Sequence, residues 1–330
     1  MGDSNANGGE DPRRPLTIAV AGNPNCGKSA LFNALTGIRQ KTGNWPGVTV
    51  ERKLGRCRID GRDITVVDLP GIYSFDAASI DERVTRDYLL SHEADLVLNV
   101  VDAANLERNL YFSVQLLEMG VPLVVALNMM DVARKRGIRV DAQALSERLG
   151  CPVVPVVATT GEGLSELQAR MLAVADRRQA PGFPLDLDEP VEQALLRLEP
   201  LLEDADQANR RWLALKMLEG DSEELVPDGK QGAVSEVRQW VQDRYRKDLG
   251  LAIANSRYTH AYTLARAVMR QPSGARRTLS DRIDRLVVGR WTGIPLFLLV
   301  MYVMFLFTIN VGGAFIDFFD GVAGALFVDC

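Results

Sequence analysis

The sequence predicts an α/β protein in which a mixed, mostly parallel sheet carries helices on both faces, followed by a small all-α domain and a transmembrane helix. Three observations predict it. Short apolar runs of strand length alternate with helical stretches between Leu16 and Asp176, the pattern of a parallel sheet buried on both sides. Strand signals stop beyond about Glu189, where apolar residues recur every three or four positions, as on one face of a helix. Ile294 to Ile309 is almost wholly apolar, and with Gly293 and Val311 the run reaches roughly the 20 residues that a bilayer crossing needs.

Met1 to Arg14 is polar and has no apolar stretch of the secretory kind, so it reads as a disordered leader. Leu16 to Ala21 is a buried strand, a glycine-bearing loop follows, and Ser29 to Leu35 is a helix. Val48 to Ile59 and Arg62 to Asp68 are strands joined by Asp60-Gly61, a hairpin turn signal. Asp95 to Val101, Val121 to Leu127 and Pro152 to Val157 are further buried strands, with helices at Asp81 to Leu90, Leu106 to Met119 and Asp141 to Leu149. Ser165 to Asp176 closes the unit as a helix, and Gln179 to Pro184 reads as a linker.

In the helical part, Leu195, Leu196, Leu198 and Leu202, then Trp212, Leu215 and Leu218, then Val237, Trp240 and Val241 recur at helical spacing and read as a small bundle, with the aromatic positions in its core. The expected divisions are a leader 1–14, an α/β domain 15–180, a helical domain 181–275 and a basic juxtamembrane segment 276–292. A transmembrane helix 293–311 and the truncated start of a membrane domain, 312–330, complete the chain. Arg276, Arg277, Arg282, Arg285 and Arg290 precede the apolar run, which by the positive-inside rule keeps residues 1–290 cytoplasmic. The plainer alternative for that run is a buried helix of a soluble domain. Asp317 and Asp320 among Phe315, Phe318 and Phe319 fit an interfacial or re-entrant segment better than a second span.

The formal charge of −5 argues against a general nucleic-acid binder, so no nucleic-acid partner is expected. Four scattered cysteines without C-x-x-C spacing point to a reducing compartment. With only His92 and His260, a histidine-rich metal site is not available.

Gly22-Asn23-Pro24-Asn25-Cys26-Gly27-Lys28-Ser29 matches the phosphate-loop pattern G-x-x-x-x-G-K-[ST] between a strand and a helix. Backbone N–H groups in such a loop turn inward, and the helix N-terminus adds a field that favours an anion. Gly27 allows close backbone approach, Lys28 brings charge to the β and γ phosphates, and Ser29 offers a hydroxyl to Mg2+. That loop alone does not separate ATP from GTP. Asn128-Met129-Met130-Asp131 does, because a carboxylate there accepts from both N1–H and the exocyclic amine of guanine, a pair adenine lacks.

Asn128 supports the loop and reaches guanine N7, while Met129, standing where a lysine is usual, covers the base plane. In isolation such an Asn or Asp reads more simply as a helix cap; the order of the other elements favours the base-reading role. Ala158-Thr159-Thr160, after the next strand, completes the pocket through backbone N–H groups.

Asp68-Leu69-Pro70-Gly71 ends another strand. Asp68 is placed to hold Mg2+ through a water and the Gly71 N–H to sense the γ-phosphate, whose loss releases the loop. The other switch falls in Gly43-Asn44-Trp45-Pro46-Gly47-Val48-Thr49. There Gly47 and Val48 count among the nucleotide contacts, and Thr49 is the second hydroxyl ligand for Mg2+. Ile72 follows Gly71, where Ras-type GTPases use a glutamine to orient the attacking water. Isoleucine cannot do so. Water is therefore oriented another way, or hydrolysis is slow.

Together these stretches resemble the N-terminal portion of the bacterial ferrous iron transport protein B (FeoB) family. Val100-Val101-Asp102-Ala103 and Leu106-Glu107-Arg108-Asn109-Leu110 are similar too, and the likeness runs from Leu16 to the chain end, including Phe297 to Asn310. The resemblance implies a GTPase G domain, a helical domain of the guanine-nucleotide-dissociation-inhibitor-like kind, and the first membrane segment of a ferrous iron permease in the bacterial inner membrane. It also implies K+-stimulated hydrolysis, with Asn25 and the backbone carbonyls of Gly43 and Trp45 holding K+ beside the phosphates. Asn25, Lys28, Thr49 and Gly71 are then the catalytic set. GTP and GDP, the lipid bilayer, the remaining membrane domain and small Feo accessory proteins are the implied partners. A stand-alone GTPase of RNA or ribosome maturation, and a membrane-anchored switch with negligible turnover, are the alternative readings.

Overall fold

The computed structural model describes residues 15–37, 40–76, 79–177, 180–182, 185–203, 207–220, 223–227, 229–245, 248–270, 287, 289 and 292–327. The linker's outer residues and the five flanking arginines lie outside them. Residues Met1–Gln271 form one compact unit and Pro272–Cys330 a second.

In the first unit a seven-stranded sheet is built from β1 (Leu16–Gly22), β2 (Gln40–Asn44), β3 (Glu51–Ile59), β4 (Arg62–Asp68), β5 (Leu96–Asp102), β6 (Leu123–Asn128) and β8 (Val153–Pro155). Its order is β2-β3-β4-β1-β5-β6-β8. The pairs β1–β4, β1–β5, β5–β6 and β6–β8 are parallel, and β2–β3 and β3–β4 antiparallel. The chain leaves β1 to one side and returns to its other side at β5, so the strand order reverses at β1, where open α/β sheets bind ligands.

Strand β1 shows why the central strands are apolar runs. Ile18 and Val20 face a core shared with α1 (Lys28–Thr36) and α6 (Leu164–Arg177). Ala19 and Ala21 face the other core, with α3 (Leu106–Glu118). The hairpin turn Asp60-Gly61 has φ of 47° and 80°, the left-handed pair that a two-residue turn needs. Helix α2 (Ile80–Leu90) begins with a reciprocal Ser79–Glu82 capping box. Short helices α4 (Met130–Lys135) and α5 (Ala142–Leu149) follow β6.

The helical part comprises α7 (Glu189–Leu198), α8 (Gln207–Glu219), α9 (Gln231–Tyr245) and α10 (Leu249–Val268). Its core residues Leu195, Trp212, Val241 and Ile253 are continuous with the second face of the sheet.

Three expectations are corrected. The strand expected from Val48 starts only at Glu51, and an edge strand, β2, occupies part of the segment expected to be a mobile loop. Gln40-Lys41-Thr42-Gly43-Asn44 has no apolar residue to announce it, because an edge strand is held by backbone pairing. Strand signals do not end with the α/β part: β7 (Arg139–Val140) pairs with β9 (Met269–Arg270). Leu196 is 64% exposed, since it lies off the stripe set by Leu195, Leu198 and Leu202.

In the second unit, α11 (Gly293–Phe327) is one continuous helix. Its Gly293–Gly313 stretch has mean hydropathy 2.3 and is long and apolar enough to cross a membrane. The helix runs on through Gly312 and Gly313 to Phe327. Glycine inside a helix costs about 1 kcal/mol, too little to end one by itself.

Candidate nucleotide site

The phosphate loop connects β1 to α1 at the carboxyl end of the sheet. Asn25 adopts φ 65°, a left-handed conformation for which Asn is enriched among non-glycine residues, and its side chain is exposed. Gly27 has φ 88°, and a Cβ there would lie 2.3 Å from Asn128 Nδ2. Glycine is thus required twice over, by conformation and by space. Asn23 is buried and donates through Nδ2 to the Arg108 carbonyl at 3.3 Å, which braces the loop on α3. The Cys26 thiol is buried, and burial, opposed by Lys28, raises its pKa to about 11.

Lys28 Nζ donates to Asp68 Oδ1 at 2.9 Å and to the Leu69 carbonyl at 2.7 Å. Lys28, Ser29, Thr49, Asp68, Leu69 and Pro70 line one open pocket. This brings together the three oxygen donors read from the sequence as Mg2+ ligands, Ser29, Thr49 and Asp68. Two hydroxyls and a carboxylate are the hard donor set that Mg2+ takes. Asp81, in the first turn of α2, lines the same pocket; its sequence context, an ordinary helix start, gave no sign of this. A Cβ on Gly71 would lie 3.3 Å from Pro24 Cα, so the loop after β4 runs close against the phosphate loop. Ile72 is buried in the same core as Leu69 and Phe75. The residue standing where Ras-type enzymes place glutamine is a packing residue.

The elements expected to read the base converge through one side chain. Asn128, 2% exposed, donates from Nδ2 to the Cys26 carbonyl at 3.0 Å and accepts from the Ala158 N–H through Oδ1 at 3.1 Å. Met129 takes φ 60°, and Asp131 falls in the first turn of α4. Thr159 and Thr160 are exposed in the turn after Ala158, closed by the Thr160 N–H bond to the Val157 carbonyl. Arg134 grips Glu162 with bonds of 2.8 and 2.9 Å, tying α4 to that turn.

The carbonyls expected to ligate K+ lie in the β2–β3 hairpin. Gly43 pairs with Arg52 in the β2–β3 ladder, and the Trp45 carbonyl accepts from the Val48 N–H at 3.3 Å. Gly47 supplies the left-handed φ of 75° in that turn. Trp45 donates its N–H to the Val50 carbonyl, and by the alternation of an antiparallel ladder Gly43–Arg52 is a hydrogen-bonded pair too. Both carbonyls are therefore engaged within the hairpin.

Asp102 and Arg108 hold the loops beside the phosphate loop, tasks their sequence context does not announce. Asp102 caps the turn after β5, accepting from the Ala104 N–H at 2.7 Å and from Asn105 Nδ2 at 2.6 Å, and Arg108 stacks over the Tyr73 ring at 4.3 Å.

A strand–glycine loop–helix with its lysine bonded to the aspartate of the neighbouring strand, plus an asparagine bridging that loop to a second one, defines a guanine-nucleotide-type P-loop domain. Residues 16–171 match the family profile "Ferrous iron transport protein B", and residues 188–270 match that of the FeoB cytosolic helical domain. The chain belongs to the ferrous iron transport protein B family. It is 44% identical to the Fe(2+) transporter FeoB of Escherichia coli O157:H7, over 96% of this chain and 41% of that protein. Identity to the Salmonella typhimurium protein is 43%, with the same coverage. The chain thus spans about two-fifths of the length of these curated relatives. Among solved structures it is similar to the cytosolic domain of L. pneumophila FeoB, with TM-score 0.68, 35% identity, and coverage of 77% of this chain and 100% of that one. The cytosolic domain of the T. maritima FeoB iron transporter in GMPPNP form gives TM-score 0.68 and 37% identity, over 77% and 99%.

Proposed function

We propose that the chain is the GTP-binding and GTP-hydrolysing cytosolic module of a bacterial ferrous iron transporter, switching with nucleotide state to drive or gate Fe2+ passage. The observation that carries the nucleotide part is Asn128, whose amide joins the phosphate loop to Ala158, with Asp131 three residues on in the first turn of α4. Ser29, Thr49 and Asp68 would hold Mg2+, which supplies charge neutralisation at the phosphates. Lys28 contributes fixed positive charge, and the Gly71 N–H reads the γ-phosphate. K+ stimulation assigns Asn25 with the Gly43 and Trp45 carbonyls to a second cation, each carbonyl oxygen having a second lone pair beside the one its hairpin bond takes. Such a cation would replace an arginine finger.

The division into a G domain 15–180 and a helical domain 181–275 is supported by profile matches over residues 16–171 and 188–270. Helix α11 anchors the module to the inner membrane with residues 1–290 cytoplasmic. The remaining membrane domain, and small Feo accessory proteins, are its partners in the intact transporter.

The test is hydrolysis of GTP and of ATP by the chain in detergent, in Na+ and in K+ buffer. GTP preference and faster turnover in K+ are expected. Preference for ATP overturns the guanine assignment, and equal rates in the two salts remove the Asn25 cation site. Asp131→Asn should exchange GTP preference for xanthosine triphosphate, read by competition binding.

A further inference from the structure

Arg139 of β7 and Arg270 of β9 stand directly opposite each other in their two-stranded ladder. Residues so opposed share a face with Cβ atoms about 5 Å apart, and like charges in that position are destabilising. Both arginines are exposed, and among the described residues neither side chain has an ion pair, hydrogen bond or ring contact. Two more cations lead into this pair. Lys135 ends α4 and Arg136 caps it; both are exposed, and their side chains are equally unpartnered among the described residues. The chain then turns at Gly137, with φ 75°. The Ile138 N–H returns to the Ala133 carbonyl at 2.9 Å, so Arg139 follows within one tight turn.

The carboxylates of the neighbouring elements are engaged. Glu162 is held by Arg134 through two bonds, and Asp141 Oδ1 accepts from the Ala144 N–H at 3.0 Å. Asp131 lies at the opposite end of α4. Even with Asp131 and Asp141 counted against them, the four cations leave a net positive surface on a chain whose formal charge is −5.

Four exposed cations spread over a turn and a ladder fit an extended negative surface better than one small anion. The chain carries its own route to such a surface. Residues 271–292 join Arg270 to α11, the helix long and apolar enough to cross a membrane, and Arg276, Arg277, Arg282, Arg285 and Arg290 continue the basic character in sequence. A tether raises the effective concentration of headgroups at the patch. The cytoplasmic leaflet is anionic, and each Lys or Arg near it strengthens association about fivefold. We propose that Lys135, Arg136, Arg139 and Arg270 form a docking surface for the anionic phospholipid headgroups of the cytoplasmic leaflet. This rests on the membrane anchoring given above and is independent of the nucleotide assignment.

The test reconstitutes the full chain in phosphatidylcholine nanodiscs, which hold α11 in a neutral bilayer, and mixes them with separate vesicles. Vesicles containing phosphatidylglycerol should carry the loaded nanodiscs upward in a density gradient. Phosphatidylcholine vesicles should not, and high salt should abolish the effect by screening. Arg139→Gln with Arg270→Gln should weaken co-flotation about 25-fold, two residues at about fivefold each. The same variant should keep or raise the thermal midpoint, because an opposed like-charge pair is gone. Arg139→Lys with Arg270→Lys should float as the parent does. Equal flotation with neutral vesicles, or unchanged affinity in the double glutamine variant, overturns the docking surface. Displacement by glycerophosphate at constant ionic strength would assign the cluster to a free phosphate, and tighter binding to a short RNA duplex than to the vesicles would assign it to nucleic acid; either overturns the lipid assignment. A chain that does not enter nanodiscs would count against the membrane anchoring alone, and the same vesicles mixed with that soluble chain then read the patch directly.

Discussion

Asn128 commits both ends of its side-chain amide to backbone groups 102 and 30 residues away in sequence. Asn128→Ala leaves the Cys26 carbonyl and the Ala158 N–H buried without a partner, a cost of about 1–3 kcal/mol for each buried group so orphaned. The expected outcome is a lower urea midpoint together with weaker GDP binding, both read on the same sample by nucleotide fluorescence. Cys26 makes a prediction of a different kind. Burial lifts its thiol from 9.0 to about 11, so the folded protein keeps it neutral where the unfolded chain ionises it. Its contribution to stability is complete below pH 9 and lost as pH rises through 11. Iodoacetamide at pH 8, followed by peptide mass spectrometry, should leave Cys26 unmodified in the folded chain and modify it in urea.

At the scale of elements, α3 is where sheet and helical bundle meet. Glu118 on α3 takes two bonds from Arg257 Nε of α10, at 3.1 and 2.9 Å, and Arg257 also bonds Glu219 of α8. Lys216, with no exposed side-chain surface, lies 2.5 Å from Glu219 and 3.5 Å from Asp76, which follows the Gly71 loop. Phe75 in that loop donates its N–H to Gln115 of α3 at 3.1 Å and packs on Phe112 and Trp212. Burial raises the Glu118 pKa, and Arg257 opposes the shift. Removing the arginine would leave Glu118 and Glu219 buried with one fewer cation. Arg257→Met should therefore cost about 3–5 kcal/mol, the range for breaking a buried pair from one side, measured by chemical denaturation.

None of these partnerships was legible in the sequence, because a buried ion pair between residues 139 apart leaves no local pattern. What was legible has local causes. β1, β5 and β6 are buried on both faces and so appear as apolar runs. The Asp60-Gly61 turn and the phosphate loop demand particular residues at particular spacings. Edge strand β2 has neither cause, and the Trp45 turn reveals its buried ring only when Tyr88 is seen beside it.

For the whole of the first unit, the two cores are not divided along the boundary between the sheet and the helical bundle. Trp212, Leu195 and Ile253 belong to the same buried cluster as Val101, Leu110 and Val125. Heating the chain in detergent should give one calorimetric transition for this unit, with calorimetric and van't Hoff enthalpies in agreement. Two resolved transitions would show that the bundle unfolds by itself. The shared core also bears on chimaeras. An engineer who transplants the nucleotide-binding sheet without α8 and α10 would bring Phe75, Phe112 and Glu118 to the surface of the new host. A graft ending at the apparent linker would need those three positions redesigned, while one carried through to β9 should transfer with its native interior.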